Sequence, residues 1–256
     1  MRRKTLIALI GASAIFLTAC GGSEEQAQEQ VSSDSSFTAG PPQGPEVPEA
    51  DPEEPEVNQV VINPDAPLPE GVLSIDEENA FGWQVNGPID PNKPTLTLFE
   101  DYQCSFCARL KKEDTDSFLL EQDDYNLVIR PTGLRDFSLG NESSRESTGA
   151  LGCAIDQGVG LEYRANLYKF QDPEGLGFTK EFLIESGKEM IDGEEAKDTF
   201  ERCVKEGSYD DWAYNSTAIL DPNEFSGTPS LYLGTEEIPI ETVFEYEKLI
   251  EYLDAA

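Results

Sequence analysis

The sequence of 256 residues contains no histidine. This absence excludes Ser-His-Asp and Cys-His catalysis, and it excludes metal sites built on imidazole ligands. Basic residues are scarce as well: 18 lysines and arginines stand against 51 aspartates and glutamates and give a formal net charge of −33. Because binding to phosphate needs the opposite charge, we expect no nucleic-acid partner.

Apolar runs long enough to cross a bilayer as a helix are also missing. One shorter run, Leu6–Leu17, follows a basic segment at residues 2–4, which is typical of a signal peptide. It ends in LTAC, which resembles the bacterial lipobox, whose cysteine receives a lipid and becomes the mature N-terminus. We therefore predict a lipoprotein signal peptide at residues 1–19 and lipidation of Cys20. In the alternative, an ordinary secretory signal, Cys20 is incidental.

Residues 20–70 have few large apolar side chains. From residue 21 to residue 70 there are twelve acidic residues and no basic one, among many prolines, serines and glutamines. This composition buries too little apolar surface to offset chain entropy, so we predict a lipidated N-terminus followed by a disordered linker. Together these features predict an extracytoplasmic protein that a lipid anchor holds on the outer face of the cell membrane.

From residue 71 the composition is globular, and residues 71–256 are long enough for one domain with a core. Two further short strands are expected after residue 228. The pattern predicts strands at 95–101 and 125–131, a helix at 105–120, helices in the region 143–207, and a closing helix at 241–253. That order predicts an α/β fold with an inserted helical subdomain at about 141–215.

Four cysteines follow Cys20, namely Cys104, Cys107, Cys153 and Cys203. An even number in an exported chain favours two disulfides over free thiols. A zinc site is the alternative, but structural zinc sites draw on two close pairs, whereas Cys153 and Cys203 lie far apart in the sequence. We expect neither a metal nor another cofactor.

Cys104 and Cys107 form a CxxC motif within FEDYQCSFCARL, residues 99–110, at the junction of a predicted strand and helix. The unpaired amides at a helix start favour negative charge, so a thiolate at Cys104 is stabilised and its pKa falls. Cys107 lies one turn further on, near enough to close a reversible disulfide. The pattern therefore predicts Cys104 as the attacking thiol and Cys107 as the resolving one.

A second feature is SGTPS, residues 226–230, directly before a predicted strand. Pro229 at a strand start is a candidate for a cis peptide bond with Thr228. In that geometry the Thr228 backbone faces outward and can pair with an extended substrate chain. A trans proline in an ordinary loop is the alternative.

Four segments, FEDYQCSFC, ALGCAIDQG, FERCV and GTPSLYL, together resemble the DsbA-like branch of the thioredoxin superfamily, in particular its actinobacterial membrane-associated members. The resemblance covers roughly residues 70–256 and implies a thioredoxin fold with a helical insertion. It also implies a structural disulfide between Cys153 and Cys203, worth roughly 4 kcal/mol in the chain-entropy model. A second redox-active couple is the alternative for this pair.

In the active site the resemblance implies Cys104 as nucleophile, Cys107 as resolving cysteine and Pro229 as the cis-proline that faces them. The family often has proline after the first cysteine and, in its most oxidising members, histidine before the second. Here Ser105 and Phe106 occupy those positions, and neither supplies a charge to a thiolate. With Ser105, Phe106 and Pro229, Thr228 is expected to be a neighbour of the two active-site cysteines.

Charged residues around the CxxC motif also affect how strongly its disulfide oxidises other thiols. We expect Glu100 and Asp101 to oppose a thiolate, and the three basic residues within 109–112 to offset them in part. Leu98 stands where thioredoxins hold a buried acid, so the resemblance does not imply a carboxylate proton shuttle for Cys107. We therefore predict an oxidant weaker than the strongest family members, with a potential between about −120 and −270 mV.

These observations predict a protein-disulfide oxidoreductase that introduces disulfides into secreted and envelope proteins through Cys104 and Cys107. Its partners would be reduced or misfolded secreted proteins and a membrane redox partner related to DsbB or vitamin K epoxide reductase. One alternative keeps the fold but reverses the electron flow, as a disulfide reductase or isomerase. Another is a non-enzymatic surface binding or chaperone module.

Overall fold

The computed structural model describes residues 61–172, 175–221 and 225–256. Its strands are β1 (Trp83–Gln84), β2 (Thr95–Glu100), β3 (Asn126–Pro131), β4 (Ser230–Leu233) and β5 (Glu236–Ile238). They form one sheet in the order β1-β3-β2-β4-β5. β2 and β3 run parallel, and the other neighbouring pairs are antiparallel.

The helices of the described residues surround this sheet. They are α1 (Ser105–Lys112), α2 (Asp114–Leu120), α3 (Leu134–Leu139), α4 (Ser143–Asp156), α5 (Gly160–Lys169), α6 (Lys180–Lys188), α7 (Glu194–Glu206), α8 (Asp210–Ala218), α9 (Ile240–Val243) and α10 (Tyr246–Ala255). Helices α3 to α8 all fall between β3 and β4 in the chain and form the helical insertion. The predicted α/β order with inserted helices is confirmed.

Two clusters of buried apolar side chains form the core. The first joins the sheet to the closing helix α10 through residues such as Leu98, Leu231 and Leu249. The second joins the helices of the insertion to β3 and α1, and it contains both Cys104 and Cys107. The insertion therefore packs directly against the helix that carries the CxxC motif.

The predicted continuous helix at 105–120 is wrong. Glu113 is extended, with φ −83° and ψ 160°, and its backbone N–H donates to the Leu110 carbonyl, so α1 ends before α2 begins. The break places Asp116 of α2 in the interior, where its exposed fraction is 1%. The predicted closing helix is likewise divided, because α9 is a single turn and α10 begins only at Tyr246.

Three elements have no counterpart in the sequence prediction. β1 is only two residues long, and its pairing of Trp83 with Ile129 defines it. α3 precedes the predicted insertion, which therefore spans 134–218 rather than about 141–215. α8 buries polar residues, including Asn215 and Ser216, so its sequence lacks the apolar periodicity that marks an amphipathic helix.

The folded domain begins before residue 71, which corrects the predicted linker boundary. Ala66 is buried, and Ile62 and Leu68 pack against the second core cluster. The backbone of Asn63 is held by the Asn215 side chain of α8, which accepts from its N–H at 3.1 Å and donates to its carbonyl at 2.6 Å. These contacts make residues 62–70 part of the domain.

The predicted signal peptide at 1–19, Cys20 and the linker up to residue 60 lie outside the described residues. Within the described ranges, none of the helices combines the length and the apolar character needed to cross a membrane.

Candidate active site

Cys104 lies where β2 passes through a short turn into α1. Its backbone N–H donates to the Asp101 carbonyl at 3.0 Å, and its own carbonyl accepts the first intrahelical bond from Ala108 at 3.1 Å. When it is protonated, the Cys104 thiol donates to the Thr228 carbonyl, whose oxygen lies 3.2 Å from the Cys104 sulfur. The peptide bond between Thr228 and Pro229 is cis. The structure thus brings together the two segments that the sequence singled out, although 124 residues separate them.

The pKa of Cys104 is lowered to about 6. The largest cause is a hydrogen bond from the Cys107 thiol, and the backbone N–H groups of Cys107 and Phe106 and the Thr228 side chain act in the same direction. Burial of the thiol opposes the shift. The lowering of the Cys104 pKa that we predicted from the helix start is therefore due to individual hydrogen-bond donors around the Cys104 sulfur.

Cys107 shows the opposite shift. It is buried on the inner side of α1, and burial raises its pKa well above that of a free thiol, followed by its hydrogen bond to Cys104 and by the charge of Cys104. Both cysteines are free thiols in this structure. At neutral pH the site therefore holds a thiolate at Cys104 and a protonated thiol at Cys107, which are the states that an attacking and a resolving cysteine need.

A buried ion cluster lies behind Cys107. Arg164 of α5 makes two bonds to the Glu100 carboxylate, at 2.8 and 2.6 Å, and a third to Asp116 at 2.7 Å. Lys111 pairs with Asp116 at 2.7 Å, and the Tyr102 hydroxyl donates to Glu100 at 3.0 Å. The charge of Glu100 contributes to the raised pKa of Cys107.

We expected Glu100 and Asp101 to oppose a thiolate. The charge of Glu100 does so at Cys107, whereas hydrogen-bond donors and burial set the pKa of Cys104. Glu100 is also paired with Arg164, a residue that the sequence prediction did not single out. The sequence does contain a sign of this pairing. Arg164 shares one helix face with Leu167 and Tyr168, and a charged side chain on an apolar helix face needs a buried partner of opposite charge. The buried Tyr168 hydroxyl has no hydrogen-bond partner among the described residues.

Asp101 is also buried but serves as an anchor for the insertion. Its carboxylate accepts from the Gln103 backbone at 2.8 Å, from the Arg135 backbone at 2.9 Å and from the Ser144 hydroxyl at 2.6 Å. Burial raises its pKa to about 6, although these donors work against the shift. The carboxylate therefore ties the turn before Cys104 to α3 and α4.

Two of the three basic residues expected to support the thiolate are occupied elsewhere. Arg109 pairs with Glu113 at 3.4 Å, and its guanidinium lies 4.7 Å from the centre of the Phe244 ring. Lys111 belongs to the buried cluster. Stabilisation of the Cys104 thiolate consequently comes from hydrogen-bond donors rather than from neighbouring cations.

Phe106 faces an open groove beside the motif. Its side chain is 58% exposed, and its ring lies 6.5 Å from that of Phe244 between centroids. The groove has a volume of about 740 Å³ and is also lined by Thr228, Pro229 and residues 237–241. An extended peptide placed here would lie beside Thr228, whose carbonyl oxygen is 3.2 Å from the Cys104 sulfur.

The remaining two cysteines form a disulfide. Cys153 of α4 is bonded to Cys203 of α7, so the bond closes a loop inside the helical insertion. Sulfurs joined in a disulfide are not available as thiolate ligands, so the pairing does not fit the four-cysteine zinc site that was the alternative from the sequence. In the described residues no group of histidine, cysteine or acidic side chains is arranged to hold a metal ion.

Comparison with known proteins gives a consistent result. The model of the thioredoxin family matches residues 91–255. MdbA, a thiol-disulfide oxidoreductase from Actinomyces oris, superposes with a TM-score of 0.57 at 18% identity, over 74% of this chain and 92% of that chain. DsbA from Mycobacterium tuberculosis gives 0.53 at 16% identity, over 69% of this chain and 94% of that chain.

A third structure, BdbD from Bacillus subtilis, gives a TM-score of 0.50 at 14% identity, over 74% of this chain and 96% of that chain. No curated protein sequence matches the chain. The predicted thioredoxin fold with a helical insertion, of the kind seen in DsbA-like proteins, is confirmed by the family match and by these superpositions.

Proposed function

This chain belongs to the thioredoxin family, and from its site we propose that it is a lipid-anchored thiol–disulfide oxidoreductase that oxidises cysteine pairs in proteins outside the cell membrane. The observation that carries the proposal is the opposite pKa shift of Cys104 and Cys107 beside an open groove. The names of the superposed structures, which include thiol-disulfide oxidoreductases, agree with it.

The reaction starts from the Cys104–Cys107 disulfide. A substrate thiolate attacks the Cys104 sulfur, the bond between the two cysteines breaks, and Cys107 leaves as a thiolate that takes up a proton. The second substrate thiolate then attacks the substrate sulfur of the mixed disulfide and releases Cys104 as a thiolate. The substrate loses two electrons and gains a disulfide, while the CxxC pair is reduced to the dithiol.

The direction of transfer follows from the stability of the reduced site. A thiolate of pKa about 6 is held by several donors, so the reduced form is stabilised and Cys104 is a good leaving group. Stabilising the reduced form makes a disulfide a stronger oxidant. This favours donation of the disulfide to substrates over reduction of them.

The location and the partners are part of the same proposal. The signal-like segment at 1–19 and Cys20 support export and lipid anchoring, which would hold the domain near proteins that fold outside the membrane. Reduced or misfolded secreted proteins would be the substrates. A membrane protein of the DsbB or vitamin K epoxide reductase type would take the two electrons and restore the disulfide.

The test is the equilibrium redox potential of residues 21–256 in glutathione buffers, followed by alkylation and intact mass. A value at or above about −200 mV supports the oxidase, whereas a value at or below about −270 mV assigns the protein to the reductase alternative. Cys104→Ser/Cys107→Ser is the control. Because only Cys153 and Cys203 can then change mass, this variant also decides whether that pair is a second redox couple.

A further inference from the structure

The groove beside Cys104 combines an apolar floor with an acidic rim. Phe106 and Ile240 are exposed by 58% and 45%, and Phe244 belongs to the same lining. The groove continues without interruption to Thr228, whose carbonyl oxygen lies 3.2 Å from the Cys104 sulfur. A polypeptide that fills the groove is therefore in position to present a sulfur to Cys104.

Three carboxylates line this groove, namely Glu237, Glu241 and Glu245, against one cation, Arg109. Arg109 is already paired with Glu113 and stacked on Phe244, so it does not neutralise the rim. Glu245 has Lys248 at 2.7 Å. Among the described residues, neither Glu237 nor Glu241 has a basic side chain within ion-pair distance.

Glu237 is also held in a fixed position. Its carboxylate accepts from the Ser226 hydroxyl at 2.5 Å and from the Ser230 hydroxyl at 3.1 Å. These serines flank the cis peptide bond, so the carboxylate is attached to the segment that contacts Cys104. A carboxylate held by neutral donors keeps its charge available to a third group on the groove side.

We propose that this groove selects substrate segments in which lysine or arginine lies close to the reacting cysteine. The inference rests on the proposed function and names its preferred substrate. An apolar side chain of the segment would pack on Phe106 and Ile240, while its cation would meet Glu237 or Glu241. An acidic segment would meet like charges on the rim and on the domain as a whole, which lowers the rate of encounter.

The experiment uses the oxidised protein, residues 21–256, and three two-cysteine peptides that differ only in lysine, glutamine or glutamate beside the first cysteine. We expect the second-order rate of oxidation to be about tenfold higher for the lysine peptide than for the glutamate peptide at low salt. In 1 M NaCl, where charge interactions are screened, that ratio should fall towards the ratio of the intrinsic thiol reactivities of the two peptides.

Glu237→Gln/Glu241→Gln should lower the ratio at low salt several-fold, while Glu247→Gln/Glu251→Gln, which alters two exposed carboxylates outside the groove lining, should leave it unchanged. Comparing variants removes the effect of each peptide's own thiol pKa, because that effect is the same for every protein. Glu241→Gln alone guards against loss of structure, since Glu241 is exposed. A smaller loss of selectivity is expected from it.

An equal ratio in the wild-type protein and in both groove variants would overturn the inference, as would an equal loss in the control variant. These outcomes leave the proposed function intact as long as the glutamine peptide is oxidised. If no peptide is oxidised by the wild-type protein, the proposed function itself fails. The two failures are therefore distinguishable in one set of measurements.

Discussion

At the residue scale, the site depends on a difference between two cysteines three positions apart. Cys104 is the N-cap of α1, so backbone N–H groups and the Cys107 thiol converge on its sulfur. Cys107 is one turn further on, inside the second core cluster, where burial raises its pKa. Position on the helix thus assigns two chemical roles to one residue type.

This difference predicts a distinct alkylation profile. In the reduced protein we expect the rate of iodoacetamide labelling at Cys104 to rise with a midpoint near pH 6, because only the thiolate reacts. Cys107 should stay unlabelled at that pH. Peptide mass mapping after timed labelling measures both, and a Cys104 midpoint near pH 8.5, the value of a free thiol, would contradict the structure.

The same shift has a consequence for stability. The pKa of Cys104 is lower in the folded than in the unfolded protein. Ionisation of Cys104 therefore stabilises the folded state of the reduced protein, and this contribution is complete above the unfolded pKa. It is lost as the pH falls through about 6. The difference in unfolding free energy between the reduced wild-type protein and Cys104→Ser should therefore shrink as the pH falls from about 9 to about 6.

At the scale of elements, Arg164 connects three parts of the chain. It reaches from α5 to Glu100 on β2 and to Asp116 on α2, and all three side chains are buried. The break at Glu113 makes this possible, because α2 can then turn Asp116 inward. The insertion is therefore bound to the sheet and to α2 by charge as well as by apolar packing.

Arg164→Met should lower the unfolding free energy by about 3–5 kcal/mol, because it leaves two buried carboxylates without their shared cation. Urea unfolding of the oxidised protein measures this loss. Arg145→Met is the matched control, since Arg145 pairs with an exposed glutamate, Glu142, and should cost no more than about 1 kcal/mol. An equal loss of unfolding free energy in the two variants would show that the buried ion cluster stabilises the fold no more than an exposed ion pair does.

At the scale of the whole molecule, the excess of acidic residues is the dominant property. Residues 71–256 carry 39 acidic and 15 basic side chains, and the basic residues of the buried cluster are already paired. Like charges over one surface repel each other in the compact state. The same excess supports the preference for cationic substrates, so stability and specificity depend on one distribution of charge.

We therefore expect the melting temperature to rise when NaCl is increased from about 20 mM to about 1 M, at which the screening length falls to about 3 Å. Each kcal/mol of repulsion removed should raise the melting temperature by about 2–4 °C for a domain of this size. Sucrose at matched osmolality controls for exclusion of the solute from the surface. A melting temperature that salt leaves unchanged would argue that the surface charges do not oppose folding.

The sequence alone is sufficient for the features that depend on neighbouring residues. Alternation along 95–100 predicts β2, the CxxC motif after it predicts a reactive Cys104, and Pro229 before β4 is a candidate for the cis bond. These patterns reflect side-chain direction, helix starts and proline geometry, all of which act within a few residues. The pairing of Cys153 with Cys203 came only from the resemblance to a family.

Only the tertiary structure decides how charges and surfaces meet. In the sequence Glu100 is one more acid beside the motif, and Arg164, 64 residues away, makes it part of a buried ion cluster. The groove likewise joins Phe106 to residues 226–230 and 237–241, which the chain separates by more than a hundred positions. The sequence therefore determined which reactive groups are present, while the packing of distant elements determined their partners, since ion pairs and cavities depend on distance in space.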